Sequence, residues 1–181
     1  SFLGGFAMHA ARAGAKRAHG LDQSEAAVAA ATANAKANGL EAICEFETAN
    51  VFDWLKSRTT ATANERIVPS YDLIILDPPT YQKGSFVAEK DYARLMRRLP
   101  DLLMPGGHAL LCLNSPKLGP AFLQDQMQEL APELVFQQRL PTPAAFADAA
   151  SDRALKVLVS KAPERFLHHV GMLHAQLGAC T

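Results

Sequence analysis

The sequence predicts a three-layer α/β fold built on a mostly parallel sheet, and three observations carry that expectation. Strand-like apolar runs alternate with helix-like segments along the chain. The run at 73–76 (LIIL) shows no polar alternation, as expected of a central strand covered by helices on both faces. It stops abruptly at Asp77-Pro78-Pro79, and in open α/β sheets ligands sit beyond the carboxyl ends of the strands. Asp77 is therefore aimed at the place where chemistry would occur. Two consecutive prolines fix φ twice and supply no N–H donors, so the backbone after Asp77 is a stiff ledge with free carbonyls. Taken alone, the prolines equally suit a plain strand stop. The setting adds aromatic Tyr81 and a polar loop with Lys83, Gly84 and Ser85 before the next helix.

At 181 residues the chain suits one domain, and 49% hydrophobic with 20% charged residues describes a globular protein. No apolar run approaches the length of a membrane span and no basic-plus-apolar leader is visible, so the expectation is a cytoplasmic protein. Cys44, Cys112 and Cys180 are widely spaced and odd in number, which fits reduced thiols and excludes paired-cysteine zinc spacing. Eighteen basic and eighteen acidic residues cancel, so any nucleic-acid binding must be local. The chain opens at Ser1 and runs straight into a glycine turn, which predicts that something upstream is missing.

In order, SFLGG precedes a helical FAMHAARAGA; Gly4-Gly5 before a helix lets a ligand approach the backbone and its unpaired N–H groups. Residues 16–21 form a short strand closing on Asp22. The alanine-rich 23–38 then forms a helix ended by Gly39. Asp22 is placed either to take the two hydroxyls of a ribose or to cap that helix. Residues 42–49 alternate like a strand, and 50–58 read as a short helix burying Val51, Trp54 and Leu55. At that junction Asn50 or Asp53 is placed to meet an adenine amino group through a side-chain oxygen, or to serve the start of the helix. Residues 59–70 are a polar connection.

Beyond the central strand, 89–103 reads as one amphipathic helix, with Tyr92, Leu95, Met96, Leu99 and Leu102 inward and Lys90, Arg94, Arg97 and Arg98 on a solvated face. A proline-glycine turn at 105–107 leads into a buried strand at 108–114 holding an inert Cys112. A helix at 118–130, strands at 134–140 and 155–160, a loop at 141–152 and a terminal helix at 163–179 complete the pattern. His168, His169 and His174 on that last helix lack a nearby acid or cysteine set, so no metal is expected.

Assembled, the pieces SFLGGFAMHAARAGA, GLDQS, ANAKANGL, TANVFDWL, YDLIILDPPTYQKGSF and LLMPGGHALLCLN resemble a class I S-adenosylmethionine-dependent methyltransferase, in that family's order. Within the class the chain looks most similar to bacterial large-subunit ribosomal RNA methyltransferases with a DPP-T/S-aromatic motif. The resemblance implies a Rossmann-like, seven-stranded sheet with a reversed strand near the carboxyl end. It also implies a catalytic domain over 1–160 whose first strand is truncated, a helical tail at 161–181, S-adenosylmethionine as cofactor and ribosomal RNA as substrate. Gly4 and Gly5 would flank the methionine portion of the cofactor, Asp22 its ribose, Asn50 its adenine, and Asp77 the methyl group. Where the family has an acid at the adenine contact, this chain has Asn50. Asp77 with the carbonyls of Pro78 and Pro79 would orient an amine or ring nitrogen, while Tyr81 and Phe86 are candidates to stack a base. The position of the catalytic cysteine in the related C5-cytosine enzymes is Asn114 here, which implies direct transfer to nitrogen. Two rivals stand beside this reading: a methyltransferase acting on protein or a small molecule, and a non-catalytic remnant of the fold that binds RNA or a partner. A nicotinamide-dependent oxidoreductase would leave Asp-Pro-Pro without a role.

Overall fold

The computed structural model describes residues 2–59, 71–82, 86–146 and 154–164. The first half runs α1 (Gly5–Arg12), β1 (Ala18–Asp22), α2 (Glu25–Ala37), β2 (Cys44–Thr48) and α3 (Val51–Thr59). The second half opens with β3 (Tyr71–Leu76), a small hairpin of β4 (Tyr81–Gln82) and β5 (Phe86–Val87), α4 (Ala88–Met96) and α5 (Leu99–Leu102). It continues through β6 (Leu103–Leu113), α6 (Pro120–Leu130), β7 (Val135–Leu140), a 3-10 turn at Ala144–Phe146 and β8 (Lys156–Lys161). The residues at 60–70, the loop Lys83-Gly84-Ser85, the segment 147–153 and the expected terminal helix with its histidines lie outside the described residues.

β3 pairs in parallel with β6, while β8 lies between β6 and β7 and runs antiparallel to both. β8 is thus the reversed strand. β1 and β2 form a separate parallel pair, so among the described residues β1 and β3 each keep one unpaired edge. Two apolar cores follow this division. The larger gathers Tyr92, Met96, Leu99, Leu103, Leu111, Leu123 and Leu158, the smaller Ala11, Ala35 and Cys44. At about 1.5–3 kcal/mol for each large apolar side chain removed from water, the first core carries most of the burial energy.

Local chemistry explains the first-half elements. Ser24 caps α2 by accepting the Ala27 N–H at 3.3 Å, and Gly39 leaves the helix at a φ of 65° that disfavours side chains. Gly4 caps α1 at φ 79°, and a Cβ there would stand 2.7 Å from Cζ of Phe46. No other residue type lets α1 start this close to β2.

Three expectations change. The strand expected to be central and covered on both faces is neither: Leu73 is 48% exposed, and among the described residues β3 is the outermost strand of its sheet. The single helix over 89–103 divides at Arg97-Arg98, where Pro100 lacks the N–H a continuous helix would need; the inward residues are nevertheless those expected. Trp54 is only half-buried and meets His19 of β1, ring centroids 6.1 Å apart.

Candidate active site

The candidate residues fall into two groups, one on each half. Asp22 ends β1, and its carbonyl accepts the Ala49 N–H at 2.9 Å, which places Asn50 beside it. Both oxygens of Asp22 also accept backbone N–H bonds, Oδ2 from Phe2 at 2.8 Å and Oδ1 from Ser24 at 3.0 Å. The same carboxylate thus ties the glycine turn to the head of α2. Partial burial raises its pKa, but the Ser24 and Phe2 N–H groups, together with a further hydrogen bond and a nearby positive charge, outweigh that and leave it below the ordinary carboxylate value. The turn is held a second time by Asn34, whose amide donates to the Leu3 carbonyl at 3.2 Å.

Gly4 and Gly5 differ in kind. A side chain at Gly4 would collide with Phe46, whereas a Cβ at Gly5 meets nothing within 4 Å. Gly4 is needed by the fold, and Gly5 opens the first turn of α1 onto free space.

Asn50 caps α3: its Oδ1 accepts the N–H of Phe52 at 2.9 Å and of Asp53 at 3.4 Å. Because both partners are donors, the orientation of the amide is fixed, and its NH2 group faces away from the helix end. The side-chain oxygen expected to meet an adenine amino group is therefore engaged by the helix. Asp53 is exposed in the first turn of α3 and pairs with Lys56 at 3.5 Å.

The second group surrounds the end of β3. Asp77 is reached by solvent, yet the surrounding protein pushes its carboxyl above the ordinary value through partial burial. Pro78 is half-buried and Pro79 exposed. The Thr80 hydroxyl donates to the Asn114 carbonyl, and the Tyr92 hydroxyl is shared between the carbonyls of Leu76 at 3.2 Å and Cys112 at 2.9 Å. These bonds clamp the carboxyl ends of β3 and β6 together. Tyr81, 66% exposed, stands at the start of the hairpin that follows the ledge. Phe86 is not available to a base: it is 5% exposed and lies parallel to Phe52 inside the larger core. Burial, with the Asp77 charge second, raises the Cys112 thiol to about 12, so it holds its proton at any ordinary pH.

The basic face of α4 is partly neutralised. Arg94 bonds Asp91 at 3.1 Å and lies 3.6 Å over the Phe52 ring, and Arg98 pairs with Asp101 at 3.2 Å. Among the described residues no group of three His, Cys, Asp or Glu is arranged to hold a metal, and no helix is long and apolar enough to cross a membrane.

Sequence reasoning missed Thr80, Tyr92 and Lys156 as residues that hold this region. Lys156 did leave a signal: in ALKVLVS it stands at the same parity as Ala154, Leu158 and Ser160, all buried.

A glycine-opened helix, an acid ending the next strand and an Asp-Pro-Pro ledge, on a mixed sheet with one reversed strand, define a class I methyltransferase. The model of the S-adenosylmethionine-dependent methyltransferase family matches residues 1–161, and the chain belongs to that family. Its cofactor is S-adenosylmethionine. The chain is 33% identical over 118 residues to the Ribosomal RNA large subunit methyltransferase K/L of Hahella chejuensis, covering 62% of this chain and 15% of that protein. It is 36% identical over 111 residues to a Ribosomal RNA large subunit methyltransferase of Deinococcus radiodurans, covering 59% and 26%. Among solved structures, a putative methyltransferase complexed with SAH superposes with a TM-score of 0.77 at 25% identity, over 89% of this chain and 43% of that one. The chain thus spans about a sixth of the length of the K/L proteins it matches.

The described residues fit the cofactor. The Asp22 carboxylate, an acceptor-only group, ends β1 beside the glycine turn, and the space at Gly5 is open.

Proposed function

We propose that this chain methylates a base of ribosomal RNA at a nitrogen, without a covalent cysteine intermediate. The observation that carries the reading is the exposed Tyr81 ring, set one residue beyond the Asp77-Pro78-Pro79 ledge, after Thr80, at the carboxyl end of β3. A base splayed from folded RNA needs an aromatic face to stack on and acceptors for its N–H edge, and this region offers both. The Hahella and Deinococcus relatives are named as ribosomal RNA methyltransferases, which agrees with that substrate class.

The bound cofactor supplies an already activated methyl group, so the protein contributes position and a desolvated site. Asp22, an acceptor-only carboxylate at the end of β1, would take the ribose hydroxyls. Asn50, with its oxygen engaged at the helix, offers its amide NH2 to a ring nitrogen of adenine. Gly4 and Gly5 hold the head of α1 where the methionine portion lies. Asp77 and the proline carbonyls accept N–H bonds from the nucleophilic nitrogen. With its pKa raised, Asp77 would take the proton that nitrogen gives up as the N–C bond forms and the bond from the methyl to sulfur breaks, its electron pair left on the sulfur.

Ribosomal RNA from a strain lacking the gene, incubated with the protein and labelled S-adenosylmethionine, should gain label that maps to a base nitrogen. The ion-paired Arg94 of α4 and Arg98 before α5 favour, as a second reading, a protein or small-molecule acceptor. Label recovered in those fractions and not in RNA would establish it.

A further inference from the structure

Lys156 is the one fully buried charged side chain among the described residues. It opens β8, paired in register with Leu113 at the end of β6, and its ammonium donates to the Ser115 carbonyl. Ser115 is itself 2% exposed, and its hydroxyl oxygen accepts the Lys117 N–H at 3.3 Å. The carbonyl one residue earlier, that of Asn114, accepts the Thr80 hydroxyl. The Thr80 carbonyl in turn accepts the Ala88 N–H at 3.0 Å, where the hairpin enters α4. A continuous path therefore runs from a buried cation through the Asn114-Ser115 turn to the ledge and the hairpin bearing Tyr81.

Withdrawing an ammonium from water costs several kcal/mol, and an apolar side chain of like volume would fill the space without that cost. The partners of the ammonium, of which the Ser115 carbonyl is one, offset that cost, and they are directional. A fixed cation does give geometry: it holds the Ser115 carbonyl inward, which leaves the adjacent Asn114 carbonyl turned toward Thr80. We propose that Lys156 is a positioning residue for methyl transfer, pinning the Asn114-Ser115 turn through which Thr80 holds the Asp77-Pro79 ledge. The inference rests on the methyl-transfer reading above, and a displacement of the ledge of about 1 Å is enough to cost about a hundredfold in rate.

The test compares Lys156→Met, Thr80→Val and the double variant in the full chain, using kcat on ribosomal RNA, S-adenosylmethionine affinity and hydrogen exchange at two amides. Each single variant should lower kcat about tenfold or more while the cofactor dissociation constant stays within about twofold. The Ala88 amide should exchange faster, and the Ala49 amide, bonded to Asp22 in the other half, should not. The double variant should lose no more than the worse single one, because both act through one turn. Where Lys156→Met does not fold, Lys156→Gln carries the same comparison. Unchanged kcat and Ala88 exchange in a folded but less stable Lys156 variant, or additive losses in the double variant, would overturn the proposal. If the unaltered protein labels no RNA, the substrate reading fails, and Ala88 exchange still decides whether Lys156 holds the ledge.

Discussion

Phe52 and Phe86 lie nearly parallel, their ring centroids 6.3 Å apart and their planes inclined by 7°. Phe52 is two residues past Asn50, and Phe86 belongs to the hairpin that carries Tyr81. One aromatic contact thus couples α3 to the hairpin that follows the Asp77-Pro78-Pro79 ledge, with Arg94 lying over the same Phe52 ring.

Phe52→Ala should destabilise the protein by an amount near the lower end of the ~3–5 kcal/mol typical of buried Phe→Ala changes, since Phe52 is only half-buried. Phe52→Leu should recover most of that loss. Urea denaturation of both variants measures it, and a Leu variant as unstable as the Ala variant would show that ring stacking itself is decisive.

Asp22 and Asp77 should separate binding from turnover. Asp22→Ala should weaken S-adenosylmethionine binding by roughly 1.5–3 kcal/mol, the range of hydrogen bonds to a charged group. Asp77→Ala should keep most of the affinity and lose methyl transfer. Calorimetry on both variants decides it; equal binding losses would contradict the division of roles.

The two carboxylates should also differ in sign toward pH. The Asp77 pKa is raised in the folded protein, so folding takes up a proton and stability falls as pH rises from the unfolded value through the folded one. Asp77→Asn should therefore raise the melting temperature at neutral pH while removing activity. The acid limb of kcat/KM in the unaltered protein should lie above the ordinary aspartate value. For Asp22 the folded pKa is lowered, so its contribution is present above the unfolded value and lost as pH falls through the folded one. The deficit of Asp22→Asn should shrink in acid. Thermal melts between pH 3 and pH 7, at about unit steps spanning the ordinary carboxylate range, test both signs.

Cys112→Ala should retain turnover, because a buried thiol raised to about 12 supplies no thiolate. The cost should be confined to stability, on the order of 1 kcal/mol for a small buried change. A covalent adduct between Cys112 and a fluorinated pyrimidine in RNA would refute this.

The order of elements and the inward residues of α4 and α5 were legible because period-3.6 patterning and Asp-Pro-Pro are local signals. The grouping of Gly4, Gly5 and Asp22 was legible for the same reason: each ends or begins an element. What escaped was pairwise. Phe86 looked free because nothing in a sequence announces that Phe52, thirty-four positions earlier, will lie over it. Asn50 offered an oxygen and an amide, and only the cap geometry shows which one is engaged. The clamp at Thr80 and Tyr92 uses backbone carbonyls as partners, and every residue has one of those.

The division of the apolar interior has a calorimetric consequence. The β1–β2 half rests on a small, alanine-lined core, and the rest of the described chain on a far larger one, with α3 as the bridge. Such halves need not melt as one, and the smaller should yield first on heating. Asp22 and the glycine turn belong to that weaker half, and Asn50 stands at the head of the bridge. S-adenosylmethionine should therefore move the early part of the thermogram far more than the late part. At saturating ligand the two should merge into a single peak, so that the cofactor confers on this sheet the cooperativity its own packing leaves incomplete.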